Sequence, residues 1–402
     1  MSQPLAGLKV LDLTQVMAGP YCCMLLADMG ADVIKVEPPG VGDQTRRAMG
    51  FRMKGADSAG FFALNRNKRS IELDLKNDAG RETFHALTRE ADVVVENYRP
   101  GVTKRLGIDY PTLAALNPRL VYASISGYGQ TGPWSQRPGL DLMAQALTGA
   151  MSAMGHPDTP PVKSVIPFAD LGSGLFAAYA ILSAVIGRQA TGEGRHIDAS
   201  LFETALGFAI WETAEYWGTG KVPKPIGSAN RMSAPYQAVR AADDYFVIGA
   251  SNQKLWTQLC EAIDAADLIA DERFANNAAR LANRETMIVE LEKHFARYPA
   301  QHWIDVVRAA GVPVAPIVDY RDALSSEQAE ARNMVLEVEH PVEGPIKMLG
   351  FPVKASGGAQ QMRYPPPLLG EHTAQVLREF GFDEAAIGRL RDMGAFGKNE
   401  RC

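Results

Sequence analysis

Short apolar runs alternate with helix-like stretches through the first third of this chain, and that alternation narrows the possible folds more than any other feature. Leu8-Lys9-Val10-Leu11-Asp12-Leu13 reads as a buried strand, and residues 18–30, with Gly19-Pro20 at their start, read as a helix. Residues 32–37 form a second strand, and residues 69–75 alternate with a period of two. An amphipathic helix is expected over 78–89, then strands over 91–96 and 120–125, the last after a short helical pair. Short apolar strands separated by helices predict an α/β domain with a mostly parallel sheet covered on both faces.

Downstream, 196–199 predicts a further strand and 202–217 a helix. Residues 218–234 are rich in Gly, Pro, Ser and Lys and read as a linker. Residues 236–250 resemble a hairpin turning at Asp243-Asp244, followed by a charged, helix-rich region to about Ser325. The tail holds the strand-like Val335-Leu336-Glu337-Val338, the breaker run Tyr364-Pro365-Pro366-Pro367 and an amphipathic helix over 371–380. The expected organisation is a large domain beginning in 1–224, a smaller α+β domain over 225–330, and a return of 331–402 to the large domain. A length of 402 residues accommodates that division.

A net charge of −5 argues against a general nucleic-acid binder. Cys22, Cys23, Cys260 and Cys402 have neither disulfide-framework nor zinc-ligand spacing, which predicts reduced thiols and a cytoplasmic setting. Met1-Ser2-Gln3-Pro4 lacks the features of a secretory signal. The uncharged run 171–187 is near the lower limit for a membrane span and is interrupted by Gly and Ser, so it is read as a buried helix.

Immediately before that run stands Asp170, in Pro167-Phe168-Ala169-Asp170-Leu171-Gly172-Ser173-Gly174. A carboxylate there can cap the helix, and the helix dipole favours its ionised form. With small glycines beside it, the same carboxylate is also placed to act as a nucleophile with room for a substrate. The residues alone leave both readings open.

Other motifs carry less. Gly127-Tyr128-Gly129-Gln130-Thr131-Gly132 matches GxGxxG, but the following Pro133 to Gly139 is loop chemistry and opens no helix, which argues against a dinucleotide site. The basic cluster Asn65-Arg66-Asn67-Lys68-Arg69, with Arg46 and Arg47 upstream, reads as a solvated loop or as a phosphate contact. Glu96-Asn97-Tyr98-Arg99-Pro100-Gly101 ends a strand, where open α/β sheets bind ligands. No histidine has metal-ligand spacing, so no metal is expected. Ser124, Ser126 and Ser173 lack a GxSxG elbow.

Taken in order, these segments resemble the class III CoA-transferases, the family typified by formyl-CoA transferase and the carnitine CoA-transferase. The resemblance rests on 8–14 followed by Ala18-Gly19-Pro20, on 30–37, Asn67-Lys68-Arg69-Ser70-Ile71, 96–101 and 127–133. Ala169-Asp170-Leu171 with Gly174, Ala234-Pro235-Tyr236-Gln237 and 366–373 complete it. The pattern is most similar to the branch that handles dicarboxylates, such as the succinyl-CoA:glutarate-type enzymes. The resemblance implies a large Rossmann-like domain, a smaller α+β domain and an interlocked homodimer.

It also implies that Asp170 is the catalytic nucleophile, passing CoA between two carboxylic acids through a mixed anhydride and an aspartyl-CoA thioester. The glycines after Asp170 are expected to leave space for the developing oxyanion. No permanently bound cofactor is implied, and the CoA thioester is itself the substrate. By the same resemblance Val16, Met17 and Ala18 lie near the thioester end of CoA, with Asp141 close by. Leu73 and Lys76 lie along the nucleotide, and Asn97, Tyr98, Arg99 and Arg105 near the adenosine and phosphates. Gly249, in 249–252, falls where some relatives carry a glycine loop over the active site. Arg231 is placed either to bind the distal carboxylate of a dicarboxylic acid or as an exposed linker residue.

The chain departs from the family pattern in several places. Met17 stands where formyl-CoA transferase has glutamine, and no multi-glycine loop is visible in the second domain, which argues against formyl/oxalyl specificity. Pro38 replaces an arginine that contacts CoA in some members. Related α-methylacyl-CoA racemases have a histidine in a Gly-His-Asp triplet, and this chain reads Gly139-Leu140-Asp141. Leucine cannot exchange a proton, so the expected activity is transfer. Racemisation and non-catalytic acyl-CoA binding are the alternatives.

Overall fold

Val93, Val94 and Val95 are fully buried on both faces of their strand, as a β-branched run requires in a sheet covered on both sides. That strand belongs to a six-stranded sheet of order β3-β2-β1-β4-β5-β6. Its members are β1 Lys9–Asp12, β2 Asp32–Glu37, β3 Lys68–Glu72, β4 Val93–Glu96, β5 Val121–Ser126 and β6 His196–Ser200. Every pairing is parallel. The molecule, a computed structural model, is described over residues 3–55, 57–356 and 361–397. Cys402 lies outside the described residues.

The chain divides into two compact units. One comprises Met1–Ala150, Lys163–Gly220 and Glu330–Cys402, and the other Met151–Val162 and Lys221–Ala329. In the first unit, α1 (Ala18–Asp28) and α4 (Phe168–Thr191) cover one face of the sheet. Ala18, Cys22, Ala177 and Ile181 pack there on Val10, Val93 and Val95. The other face packs Leu11, Ile34, Ile71 and Val94 against Phe84 and Leu87 of α2 (Asp78–Glu90). Asn77 caps α2, its side chain accepting from the N–H groups of Ala79 and Gly80. Val376 and Leu377, from the tail helix Thr373–Glu379, join this second face. Two further helices pack on α4: α3 (Asp141–Leu147) and α5 (Leu201–Phe208).

Sequence and structure differ at two helices here. The single helix expected over 202–217 is two, because Ala209 leaves helical geometry (φ −79°, ψ 43°) shortly after Gly207, a weak helix former. The run 171–187, expected to be buried, is buried on its small-residue face only. Leu175, Phe176, Tyr179 and Ile186 are exposed. The helix is long and apolar enough by composition to cross a membrane, with a mean hydropathy of 1.6. Its alanine and glycine face is nevertheless packed into the core of the unit.

The second unit is built on the expected hairpin, β7 (Tyr236–Arg240) antiparallel to β8 (Tyr245–Gly249), to which the short β9 (Val314–Pro316) adds a third strand. Its core packs Phe246, Trp256, Phe274, Phe295 and Trp303.

Candidate active site

Asp170 does not cap α4. The helix begins at Phe168, so Asp170 is its third residue, and the N-cap Pro167 offers no side-chain acceptor. The cap comes from another helix. Asp141 Oδ1 accepts the N–H groups of Ala169 (3.0 Å) and Asp170 (3.3 Å), while its Oδ2 accepts from Gln145 Nε2 at 2.6 Å. Gln145 Oε1 in turn accepts Ser164 N at 2.9 Å.

The half-buried carboxylate of Asp170 has no hydrogen-bond donor among the described residues. Its pKa is pushed up to about 7, first by burial and then by the neighbouring Asp141 charge. The expectation of a side chain held ionised by the helix dipole is therefore corrected. A dipole contributes about 0.3–1 kcal/mol at an exposed terminus. Here the first N–H groups are already taken by a second carboxylate, whose charge acts in the opposite direction.

The glycines after Asp170 also prove to have a different job. They do not hold space open for a substrate. A Cβ on Gly174 would lie 2.5 Å from the Ala18 carbonyl oxygen of α1, and one on Gly172 would lie 2.3 Å from the Phe208 ring of α5. Both residues let helices approach closely. Gly174, one helical turn beyond Asp170, thereby fixes the start of α4 against the start of α1.

The start of α1 follows the turn after β1, beside the point where strand order reverses between β1 and β4, the place where open α/β sheets bind ligands. Val16, in the turn after β1, has a left-handed φ of 71°, an outlier for a β-branched residue. Met17 and Ala18 follow at the start of α1. A cavity of about 490 Å³ opens at the same strand ends, lined in part by Gln15, Pro38, Leu73, Lys76, Tyr98 and Arg105. Four residues anticipated along CoA thus meet at one cavity, together with Pro38. Tyr98 is held there by its backbone N–H, which donates to Glu96 Oε2 at 2.8 Å. Burial pushes Glu96 up to about 7 and the Tyr98 phenol up to about 12.

Other residues are placed differently. Asn97 has both amide atoms engaged on the backbone of Gln15, at 2.8 and 2.7 Å. Arg99 is exposed and is not among the cavity-lining residues. Gly249, in the second unit, is not in a loop. It ends β8, opposite Tyr236, with its N–H on the Pro313 carbonyl at 2.9 Å. Arg231, in the same unit, is half-buried and donates to the carbonyls of Ala153 and Lys224.

Four of the five cations in the basic cluster are neither solvated nor open to a phosphate, while Arg47 is exposed and donates to the Gly40 carbonyl at 2.6 Å. Arg66 pairs with Asp28 at 2.7 Å, Lys68 with Asp12 at 3.0 Å, Arg69 with Asp32 at 2.6 Å, and Arg46 with Glu37 at 2.7 Å, all four cations being buried. The 127–132 segment is a loop with Gln130 N on Asp198 Oδ2 at 2.9 Å.

Sequence reasoning missed Gln15, Val102 and Gly397 as cavity residues. Gln15 follows β1 at the reversal point and was open to the strand-end rule. Val102 stands one turn before Leu106 on a short helix, a spacing that also fits plain packing. Gly397 carries no local signal.

The fold and site define an α/β enzyme of the open-sheet type, with a cavity at the strand ends and, at a helix start, a carboxylate with no hydrogen-bond donor among the described residues. The model of CoA-transferase family III matches residues 5–373, and the chain belongs to that family: it is a class III CoA-transferase. It is 42% identical to the acetyl-CoA:oxalate CoA-transferase of Acetobacter aceti, over 95% of this chain and 97% of that one. It is 37% identical to the succinyl-CoA:glutarate CoA-transferase of Homo sapiens, over 99% and 91%. Among solved structures it is similar to a CaiB/BaiF family protein from Brucella suis, with a TM-score of 0.83, 38% identity, and coverage of 94% of this chain and 100% of that one.

Proposed function

We propose that this enzyme moves CoA from an acyl-CoA, with succinyl-CoA as the donor to test first, to a dicarboxylic acid of four to six carbons, using Asp170 as nucleophile. The observation that carries the reading is the Asp170 carboxylate, which stands in the first turn of α4 with no hydrogen-bond donor among the described residues. Both relatives above support a dicarboxylate acceptor; the glutarate enzyme supports the four-to-six-carbon range, whereas the oxalate enzyme acts on a two-carbon acid, the kind of specificity that Met17 argues against.

An Asp170 oxygen attacks the thioester carbonyl, the C–S bond breaks, and a mixed anhydride and the CoA thiolate result. The thiolate then attacks the Asp170 carbonyl carbon of the anhydride. The C–O bond breaks, leaving an aspartyl-CoA thioester and the donor acid. The acceptor carboxylate attacks this thioester to re-form an anhydride and thiolate. Thiolate attack on the acceptor's carbonyl carbon gives the new acyl-CoA and returns Asp170. Covalent catalysis of this kind divides one difficult exchange into easier steps.

Val16, Met17 and Ala18 meet the thioester end in this reading. The cavity bearing Leu73, Tyr98, Lys76 and Arg105 takes the nucleotide end. Lys76 and Arg105 are exposed cations that would neutralise phosphate charge. Arg231 is the second unit's candidate for the distal carboxylate. The exposed apolar face of α4 supports a homodimer that covers it. A cytoplasmic site suits the free, buried Cys22, Cys23 and Cys260.

The test is a panel of acids from oxalate to adipate, incubated with succinyl-CoA and read by mass spectrometry for a new thioester. Hydroxylamine trapping and intact mass report the Asp170 adduct. No new thioester with any acid would end the proposal, and α-deuterium exchange without transfer would favour an isomerase.

A further inference from the structure

Val16 occupies a conformation that its side chain disfavours, and the turn around it is held from two sides. Thr14 N donates to Asp12 Oδ1 at 2.8 Å, and the Thr14 carbonyl accepts the Lys35 ammonium at 2.8 Å. The N–H and carbonyl of Gln15 are both bound by the Asn97 amide. Val16 N donates to Asp43 Oδ1 at 3.2 Å, and Asp43 is itself paired with Lys35 at 2.9 Å, both buried. Pro20 lacks an N–H, so the Val16 carbonyl does not meet the intrahelical donor that residue would otherwise supply. Strained backbone persists only where its surroundings over-determine it, and here three side chains from β2, the loop after it and the β4 end do so.

We propose that Asn97, Asp43 and Lys35 are positioning residues that hold Val16 in its left-handed conformation, and that Asn97 acts on CoA through this turn rather than by touching it. The inference rests on the reading that Val16 to Ala18 meet the thioester end of CoA. Without the clamp, a β-branched residue relaxes to negative φ and carries the turn away. Glycine adopts positive φ without that steric cost. The effect of losing Asn97 must therefore depend on what stands at residue 16.

The experiment is a double-mutant cycle on the full-length enzyme. Free CoA binding is measured by calorimetry and transfer from succinyl-CoA by kcat and KM, with circular dichroism confirming the fold. In the wild-type background Asn97→Ala should lower kcat/KM by about 10- to 100-fold. In the Val16→Gly background the same change should cost less than about threefold, a coupling that a direct contact would not produce. Asp43→Asn should show the same dependence on residue 16, and if that variant does not fold, the Asn97 cycle decides alone. Equal cost of Asn97→Ala in both backgrounds, or no cost in the wild type, overturns the clamp while CoA binding stands. Wild-type protein that binds no CoA removes the underlying reading and the clamp with it.

Discussion

Asp43 is buried and Asp170 half-buried, yet their environments drive them in opposite directions. Asp43 has Lys35 on one oxygen and Val16 and Thr45 on the other, and its pKa falls below the ordinary carboxylate value despite burial, with the Lys35 charge as the leading favourable cause. Asp170 has no donor among the described residues and a like charge beside it, and rises to about 7. A buried acid with partners serves as scaffold. One without them is costly to ionise and reactive once ionised.

The sharpest way to break this comparison is to remove the unpartnered acid. Asp170→Ala should lower transfer by about 10⁴-fold or more, with the fold intact by circular dichroism and no hydroxylamine-trappable adduct. Removing the partnered acid should instead strike stability. Asp43→Asn removes the carboxylate paired with the buried Lys35 ammonium and leaves it the charges of Asp12 and Glu37, and urea unfolding should show a loss of about 3 kcal/mol.

Gly174→Ala tests how α4 is held, because its Cβ would stand 2.5 Å from the Ala18 carbonyl oxygen. Overpacking of this kind should cost about 1–3 kcal/mol by urea unfolding and lower kcat as Asp170 shifts.

Next comes the charge state. Attack needs the ionised carboxylate, so kcat/KM should rise with pH through about 7. Asp141→Asn removes the like charge while keeping a side-chain oxygen for the N–H groups of 169 and 170, and should move that limb down by about one pH unit.

The smallest effect is on stability. The pKa of Asp170 in the folded chain, about 7, lies above its ordinary 3.8, so the folded state binds the proton more tightly. The stability this proton linkage provides is present below pH 3.8 and is lost as pH rises to 7. Asp170→Asn should therefore raise Tm by about 2–4 °C at pH 8 and by less at pH 5.

Much of the scaffold was legible in the chain. The strand at residues 32–37 and the start of the helix at Asp78 fall where the periodicity put them, because a two-sided sheet demands apolar runs and helices demand amphipathic spacing. The hairpin turning at Asp243-Asp244 was equally local. The short β9 and the exposed face of α4 were not legible, since a three-residue strand has no periodicity and a uniformly apolar run does not say which face will be covered. At the site, Asp170 stood out by its place before an uncharged run. Its relation to Asp141 did not, because that contact joins residues far apart in the chain.

By itself, then, the sequence determined the parallel α/β scaffold, membership of the class III CoA-transferases and the candidate acid. Only the tertiary structure decided that Asp141 caps the helix in place of Asp170, that Gly172 and Gly174 serve close packing, that the 65–69 cations are held in internal ion pairs, and that burial and the Asp141 charge push Asp170 up to about 7. The physical reason is the same in each case. Apolar periodicity is written into neighbouring residues, whereas desolvation, charge pairing and steric contact depend on distances between segments that the chain brings together only when it folds.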